Sequence, residues 1–496
     1  MTLNTAIGRE TTPPPLCVDL DGTLTRADLS LESLLRVLKQ TPWLLFYLPL
    51  WFFHGKARLK AELARRASID MSVLPYTDGV LDLIAEARRH GRPVILVTGS
   101  HEIFARQVDA HLQLFDEVIA STDSLNLTGK RKADKLVERF GLGGFDYVGN
   151  GRVDLPVWQA ASTVIAANAP RHVVAKVASM EKPSIIIPGA SVGIRTWLKA
   201  IRIHQWAKNF LIFVPLVTAH KIIEVQAVSA TFIAFLAFGL CASATYIIND
   251  LTDLDADRHH PSKRRRPFAA GLISVPAGMV AAVLLLTLAF ILALTLPVGF
   301  VIVLASYVVA TLLYSIRLKR VASLDVLMLA GLYTVRIIAG AVAIGVNLSF
   351  WLLAFSMFIF LCLALVKRVA ELIEYGRRID QDHAKKSQLR GREYSVSDIP
   401  LLQMMGATSG YLAVLVLALY INSPEVSLLY RTPEILWLIA PLLLLWVTRL
   451  WIVTSRGYMD DDPLVFAIKD PETWVTGAIT VVIIASATVM NLEGFI

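Results

Sequence analysis

Two stretches of this sequence place oxygen-bearing side chains at spacings suited to phosphate chemistry. In "PPLCVDLDGTLTRADL" a short apolar strand runs into Asp19-Leu20-Asp21-Gly22-Thr23-Leu24. The two-residue period of a strand puts Asp19 and Asp21 on one side, just past its end, where Gly22 permits a sharp turn. Open α/β sheets bind ligands at the carboxyl ends of their strands. There one carboxylate can attack phosphorus to form an aspartyl-phosphate while the other serves as acid and then base, with Mg²⁺ neutralising the phosphate. The second stretch is "IINDLTDLDADRHHPSKRRRP", residues 247–267. On a helix Asn249, Asp253 and Asp257 stand at i, i+4 and i+8, Asp250 lies three residues before Asp253, and Asp255 points about 200° away from Asp253. One face would carry four oxygen ligands. Clustered hard oxygens suit Mg²⁺ that already carries a substrate's phosphates, and ionisable groups at a membrane boundary are functional by default. The plainer alternatives are an acidic turn for the first stretch and a solvated acidic cap on a span for the second.

The elements that must position these residues differ in kind. The chain is 55% hydrophobic with a mean hydropathy of +0.57, more than a soluble globule carries. Charges are spread through residues 1 to about 182, whereas long apolar stretches alternate with short polar ones from about 197 onward. The sequence therefore predicts a soluble domain over 1–182, a linker over 183–194 and a membrane domain over 195–496. A hydrocarbon core of ~30 Å needs ~20 apolar residues in helical form. Nine candidate spans meet this, near 205–219, 226–248, 275–296, 298–316, 324–345, 350–367, 401–421, 434–454 and 472–491, the first of them interrupted by Lys208 and Asn209. Basic clusters follow the second, fourth, sixth and eighth spans (Arg258 to Arg266, Arg317 to Arg320, Lys367 to Arg392, Arg456), while the alternate loops hold little beyond Lys221 and Arg431. The positive-inside rule then puts those loops and the N-terminal domain in the cytoplasm, the C-terminus outside, and the protein in the cell's inner membrane as a multi-pass chain. The net charge of +8 is mostly this topology signal and gives no reason to expect nucleic-acid binding. The lead "MTLNTAIGRETTPPP" lacks the apolar core of a signal peptide, and Cys17, Cys241 and Cys362 are too dispersed for a disulfide framework or a zinc site.

The stretch around Asp19 resembles the first motif of the haloacid dehalogenase-like phosphatases, which implies a Rossmann-like α/β domain with a helical cap. The other motifs of that family find matches in turn. "RPVILVTGS" is a buried strand ending in Thr98, where the family uses a hydroxyl to hold the phosphate. "NLTGKRKADKL" offers Lys132 as the charge-neutralising lysine, with Lys130 as a rival, and "FDYVGNGRVDLPVW" matches the last metal motif with Asp154. The usual Gly-Asp is here Gly149-Asn150. An amide oxygen can still ligate Mg²⁺ but brings no charge, so the resemblance implies a metal set of Asp19, Asp21, Asn150 and Asp154 with reduced charge. Residues from about 30 to 75 would form the cap. Within it "TPWLLFYLPLWFF" is too short to span, and reads either as a cap core helix or as a face lying on the bilayer.

The NDxxDxxxD spacing resembles the first aspartate-rich motif of the UbiA superfamily of intramembrane prenyltransferases. That implies an all-α membrane domain of about nine transmembrane helices, with Mg²⁺ held by Asn249, Asp250, Asp253 and Asp257. "RIHQWAKNFLIFVPL", "DRHHPSKRRRPFAAG", "YSIRLKRVASLDVLML", "VKRVAEL" and "YMDDDPLVFAIKD" are similar to the decaprenyl-phosphate phosphoribosyltransferase branch. This branch implies substrate contacts from Arg202, Lys208, Asn209, Arg258, Lys263, Arg266, Tyr314, Lys319, Lys367, Arg368 and Glu371. His204, His259 and His260 would be contacts rather than bases, and Asp460 to Asp462 either line the pocket or cap a span. At the end of the sixth span, where an ordinary member has a second aspartate pair, Lys367, Arg368 and Glu371 stand instead. Cations there suit one more phosphate gripped directly.

The fusion suggests sequential chemistry: transfer of phosphoribose from phosphoribosyl pyrophosphate to a polyprenyl phosphate in the bilayer, then removal of the 5-phosphate. Ordinary prenyl transfer from a prenyl diphosphate to an aromatic or other acceptor is the first alternative, and a non-catalytic lipid-binding scaffold the second.

Overall fold

The computed structural model describes residues 13–382, 392–423, 426, 430–459 and 463–489. The lead over residues 1–12 and Asp460 to Asp462 lie outside the described residues. The chain forms two compact units, Met1–Arg202 with Tyr246–Val283, and Ile203–Thr245 with Leu284–Ile496. The aspartate-rich stretch thus belongs to the same unit as the α/β domain, a grouping that the expected division at 183–194 does not contain.

The first unit is built on six strands, β1 (Leu16–Val18), β2 (Val94–His101), β3 (Glu117–Ser121), β4 (Asp146–Gly149), β5 (Val164–Ala167) and β6 (Ser184–Ile187). They form one sheet in the order β3-β2-β1-β4-β5-β6 and every pairing is parallel. Runs such as LCV and VIAA are apolar throughout because both sheet faces are covered. β1 lies between β2 and β4, so the chain crosses to opposite sides of it and a crevice opens at its carboxyl end. Asp19 is the next residue. β6 falls inside the expected linker, so the α/β fold runs at least to Ile187. It is an edge strand with exposed side chains, and so lacks the burial pattern that marks the central strands.

Between β1 and β2 the cap is helical as expected: α1 (Leu29–Gln40), a 3₁₀ segment Pro42–Tyr47, α2 (Leu48–Phe53) and α3 (Lys56–Arg66). Asp28 caps α1, its carboxylate accepting from Leu31 N at 3.0 Å. Six more helices cover the sheet and lead out of it: α4 (Asp78–Arg89), α5 (Glu102–Leu112), α6 (Lys130–Phe140), α7 (Leu155–Ala160), α8 (Arg171–Ala178) and α9 (Ile194–Ala200).

Beyond these, a 3₁₀ segment Ile203–Phe213 and α10 (Val214–Thr218) precede α11 (Val225–Thr252), α12 (Leu254–His259), α13 (Val275–Ala293), α14 (Val298–Ile316), α15 (Ala322–Ala343), α16 (Phe350–Asp382), α17 (Ile399–Ile421), α18 (Ile439–Ser455), α19 (Pro463–Lys469) and α20 (Pro471–Val489). Among the described residues eight helices are long and apolar enough to cross a membrane, α11, α13 to α18 and α20. The first of the nine expected spans is absent from this set. Its residues form the 3₁₀ segment and short α10, because their polar groups turn to partners on α15. Asn209 Oδ1 accepts from Arg336 Nε at 2.9 Å, and Lys208 lies 5.7 Å from the centre of the Tyr333 ring. Gly340 permits the approach, since a Cβ there would meet the Ile212 carbonyl oxygen at 2.1 Å.

Candidate active sites

At the carboxyl end of β1 the sheet gathers a buried charge network. Asp19 Oδ1 accepts from Lys132 Nζ at 2.8 Å, and the same ammonium donates to the Tyr147 hydroxyl at 2.8 Å. Tyr147 in turn donates to Asp154 Oδ1 at 2.9 Å. Lys132 arrives on the first turn of α6 and is buried, whereas its rival Lys130 is exposed. Burial pushes Asp19 up to about 7 despite Lys132. Burial works against the Lys132 charge, but Asp19 and Asp154 outweigh it and hold its pKa above the usual lysine range. Asp21 accepts from Leu29 N at 2.9 Å and from the Ser100 hydroxyl at 2.6 Å. Desolvation and then the nearby Asp28 push it to about 6, a range suited to giving and taking a proton near neutrality.

Thr98 is buried within β2, which runs on to His101 instead of ending at Thr98 as expected, and its hydroxyl accepts from Ser100 N at 2.9 Å. The β2 to β3 register shifts between Thr98 and His101, and such irregularities re-aim side chains beside active sites. Sequence reasoning missed Ser100, Tyr147 and Lys60. The first was signalled only by a hydroxyl two residues after Thr98. Lys60 comes from α3 of the cap, which has no motif, and its ammonium reaches the Gly99 carbonyl at 2.5 Å and Asn126 Oδ1 at 3.1 Å.

The four residues of the expected metal set, Asp19, Asp21, Asn150 and Asp154, are engaged by protein donors to different degrees. Both oxygens of Asp154 are committed, Oδ1 to Tyr147 and Oδ2 to the backbone N–H groups of Asn150 and Gly151, each at 3.0 Å. Asp154 therefore shapes the 150–151 turn, and Asp21 is likewise engaged by protein donors. Asp19, with one oxygen bonded to Lys132, and the Asn150 amide offer the oxygens least engaged by protein donors, and these fit a hard cation. Asn150 lies over Gly22, whose φ is +74° and where a Cβ would meet Asn150 Nδ2 at 2.0 Å.

The aspartate-rich stretch is not one straight helix. α11 ends at Thr252, and Asp253 caps α12 with φ −103° and ψ 11°. The break has a visible partner: Lys39 Nζ of α1 takes the Thr252 carbonyl at 3.0 Å and pairs with the Asp253 carboxylate. Backbone bonds from Asp253 N to Asn249 O and from Asp257 N to Asp253 O, each 2.9 Å, carry the chain across it. Asp250 and Asp257 therefore still converge, on Arg266 Nη1 at 3.3 and 2.7 Å. Arg202, in the left-handed region at φ 51°, also pairs with Asp250, its guanidinium 5.2 Å from the Tyr246 ring centre. Of the expected face of four ligands, Asp250 and Asp257 meet on one guanidinium, Asp253 pairs with Lys39 and Asn249 is half-buried. Among the described residues no three His, Cys, Asp or Glu side chains gather as a metal cage. Two carboxylates that reach a single guanidinium nitrogen nevertheless fit a hard cation whose remaining ligands are phosphate oxygens.

Arg258, expected at the substrate, is buried in a bidentate pair with Glu32 of α1, both bonds 2.7 Å, and also donates to the Ala269 carbonyl at 3.0 Å. Asp255 pairs with Arg36 at 3.1 Å and His259 with Asp70 at 2.9 Å, while Lys263 is exposed. Glu32→Ala would strand the buried Arg258 charge and is expected to cost about 3–5 kcal/mol. The check is thermal unfolding of the lipid-embedded protein: a Tm within error of wild type would show that the pair contributes nothing.

In the second unit Arg368 is fully buried, 2.5 Å from Asp325 Oδ2 and paired with Glu371. Asp325 also accepts from the Tyr314 hydroxyl at 2.8 Å and from Arg392 at 3.2 Å. Tyr314 on α14, Asp325 on α15, and Arg368 and Glu371 on α16 therefore tie three helices together: Asp325, which the sequence did not flag, and Glu371 balance the Arg368 charge, and Tyr314 donates to Asp325. Lys367 and Lys319 are half-buried. A second inward group was also missed: Arg336, buried within α15, lies over the rings of Phe238, Tyr307 and Tyr333 at 5.4, 5.1 and 5.8 Å and donates to the Asn209 amide oxygen. A cavity of about 570 Å³ in this unit is lined by His204, Gln205, Glu374, Arg377, Met459 and Lys469, among others.

Comparison with known proteins supplies the remaining context. Residues 212–469 match the UbiA prenyltransferase family, and residues 16–159 match haloacid dehalogenase-like hydrolases. An uncharacterized protein of Sinorhizobium fredii is 41% identical over 483 residues, 96% of this chain and 91% of its own length. Nodulation protein NoeC of Azorhizobium caulinodans is 32% identical over 289 residues, 58% of this chain and 91% of its own. The decaprenyl-phosphate phosphoribosyltransferase of Mycolicibacterium smegmatis is 38% identical over 179 residues, 35% of this chain and 56% of that enzyme.

Proposed function

Because this chain belongs to the UbiA prenyltransferase family and carries a haloacid dehalogenase-like domain, we propose that it transfers phosphoribose from phosphoribosyl pyrophosphate to a polyprenyl phosphate and then removes the 5-phosphate. The observation that carries the transfer half is the charge-balanced cluster of Asp250, Asp257, Arg202 and Arg266. It offers oxygen donors for a divalent cation and guanidinium groups for phosphate in one place. Mg²⁺, when bound, neutralises the charge that builds on a departing pyrophosphate. Asp250 and Asp257 would hold it, and Arg266 and Arg202, released from them, turn to phosphate oxygens through charge-assisted bonds. A phosphate oxygen of the lipid is already anionic, so the acceptor needs no protein base. The kinship with decaprenyl-phosphate phosphoribosyltransferases and the lack of a second aspartate pair at Lys367 both favour this donor over a prenyl diphosphate.

In the second step Asp19 attacks the 5-phosphate phosphorus, the ribose oxygen leaves with a proton from Asp21, and water, deprotonated by Asp21, hydrolyses the aspartyl-phosphate. Lys132 balances the Asp19 charge, and Thr98 and Ser100 supply hydroxyls. Asp19 and Asn150 would hold Mg²⁺ here. The basic loops favour an inner-membrane protein whose N-terminal domain faces the cytoplasm.

The test incubates the purified, lipid-embedded protein with Mg²⁺ and either phosphoribosyl pyrophosphate plus polyprenyl phosphate or prenyl diphosphate plus an aromatic acceptor, and identifies the lipid by mass. Polyprenyl-phosphoryl ribose is the expected product of the first mixture. Turnover of the second mixture alone would replace this reading with ordinary prenyl transfer, and lipid binding without turnover would replace it with a scaffold.

A further inference from the structure

The cap segment Pro42–Phe53 carries a contiguous apolar surface that the fold does not cover. Phe46 is 82% exposed, Phe53 86% and Trp43 61%, with Leu45, Tyr47, Leu50 and Phe52 also more than half exposed, while Trp51 alone is buried and packs into the cap core. Isolated apolar side chains on a surface need no explanation, but a cluster of seven within eleven residues marks an interaction site.

What covers it follows from the same compact unit. That unit contains the end of span α11 and the start of span α13, so it carries its own membrane boundary. Lys39, on the last turn of α1, donates to the carbonyl of Thr252, the final residue of α11. Pro42 is three residues after Lys39, about 10 Å of chain at most. The apolar segment therefore begins beside the point where a spanning helix leaves the hydrocarbon. As a helix its twelve residues reach about 18 Å, too short to cross and suited to lying in the plane. Its Trp and Tyr belong at headgroup depth, and exposed Lys56 follows directly, a cation for anionic headgroups.

We propose that Pro42–Phe53 is an in-plane membrane anchor that seats the cap in the headgroup layer, so that the site at Asp19 takes a phosphate carried on a lipid. The substrate clause rests on the phosphatase reading; the anchor does not. The three native cysteines are buried, so the full chain in anionic vesicles can carry one spin label at Phe53→Cys and, separately, at Leu142→Cys, another exposed apolar position in the α/β domain. The expected result is a several-fold higher ratio of oxygen to nickel-chelate accessibility at position 53 than at 142. Equal ratios, or spin–spin broadening at 53 that reports a second copy on this face, would overturn the anchor. Phe46→Asp with Phe53→Asp should lower turnover of the lipid-borne phosphate several-fold and leave soluble p-nitrophenyl phosphate unaffected. Equal losses on both would overturn the substrate clause, whereas no turnover of either by the unmodified chain would refute the phosphatase reading and leave the depth ratio to decide the anchor.

Discussion

Replacing Asp19 by Asn should leave transfer intact and halt dephosphorylation, so that membranes given labelled phosphoribosyl pyrophosphate accumulate the lipid still bearing its 5-phosphate. The expected loss in the second step is on the order of 10³-fold or more, because the variant removes the atom that would attack phosphorus and no neighbouring group can replace it. Asp21 is engaged with Leu29 N and Ser100, and Asp154 with Tyr147 and two backbone donors, so neither is placed to take over. Asn is nearly isosteric and keeps an oxygen for Lys132, which limits the change to charge and nucleophilicity. A product mixture identical to wild type would end the idea that the two domains act in sequence.

Asp250→Asn should instead stop the first step. Asp250 is buried and meets both Arg202 and Arg266; without its charge two guanidinium groups compete for Asp257, and one oxygen donor for the pyrophosphate's cation is lost. A fall on the order of 10²–10³-fold in the rate of lipid-linked product is expected, comparable to removing one preorganised group from a transition-state charge site. Asp255→Asn is the control. Asp255 points to Arg36, and its side chain is 39% exposed, so its loss should change the rate by about twofold at most. Equal effects from the two variants would mean that the stretch acts through bulk charge and not through a site.

The two kinds of domain and the ends of several elements are legible in the sequence. Asp19 follows β1 and Lys132 lies on the first turn of α6, so a local motif marks both positions, whereas Thr98 stands inside β2, three residues before the strand ends. The apolar spans were equally plain, because lipid demands continuous runs. The misreadings have one cause, that the partner of a charge lies far away in sequence. Arg258 looked like a phosphate contact in a basic loop, yet Glu32, 226 residues earlier, neutralises it. Arg368 looked like a replacement for a metal-binding acid, yet Asp325 from another helix buries it. Asp253 looked like part of a single ligand face, yet Lys39, 214 residues earlier, pairs with it.

By itself the sequence determined the two kinds of domain, the order of their elements and which acids stand at the ends of those elements, because hydrophobic period and turn chemistry act between near neighbours. Only the tertiary structure decided which of those acids stay available for a ligand. Burying a charge is costly without a partner, so each buried cation claims an acid wherever the fold brings one. Asp250 and Asp257 come together on Arg266, while Asp154 is held by Tyr147 and two backbone N–H groups and Asp253 pairs with Lys39.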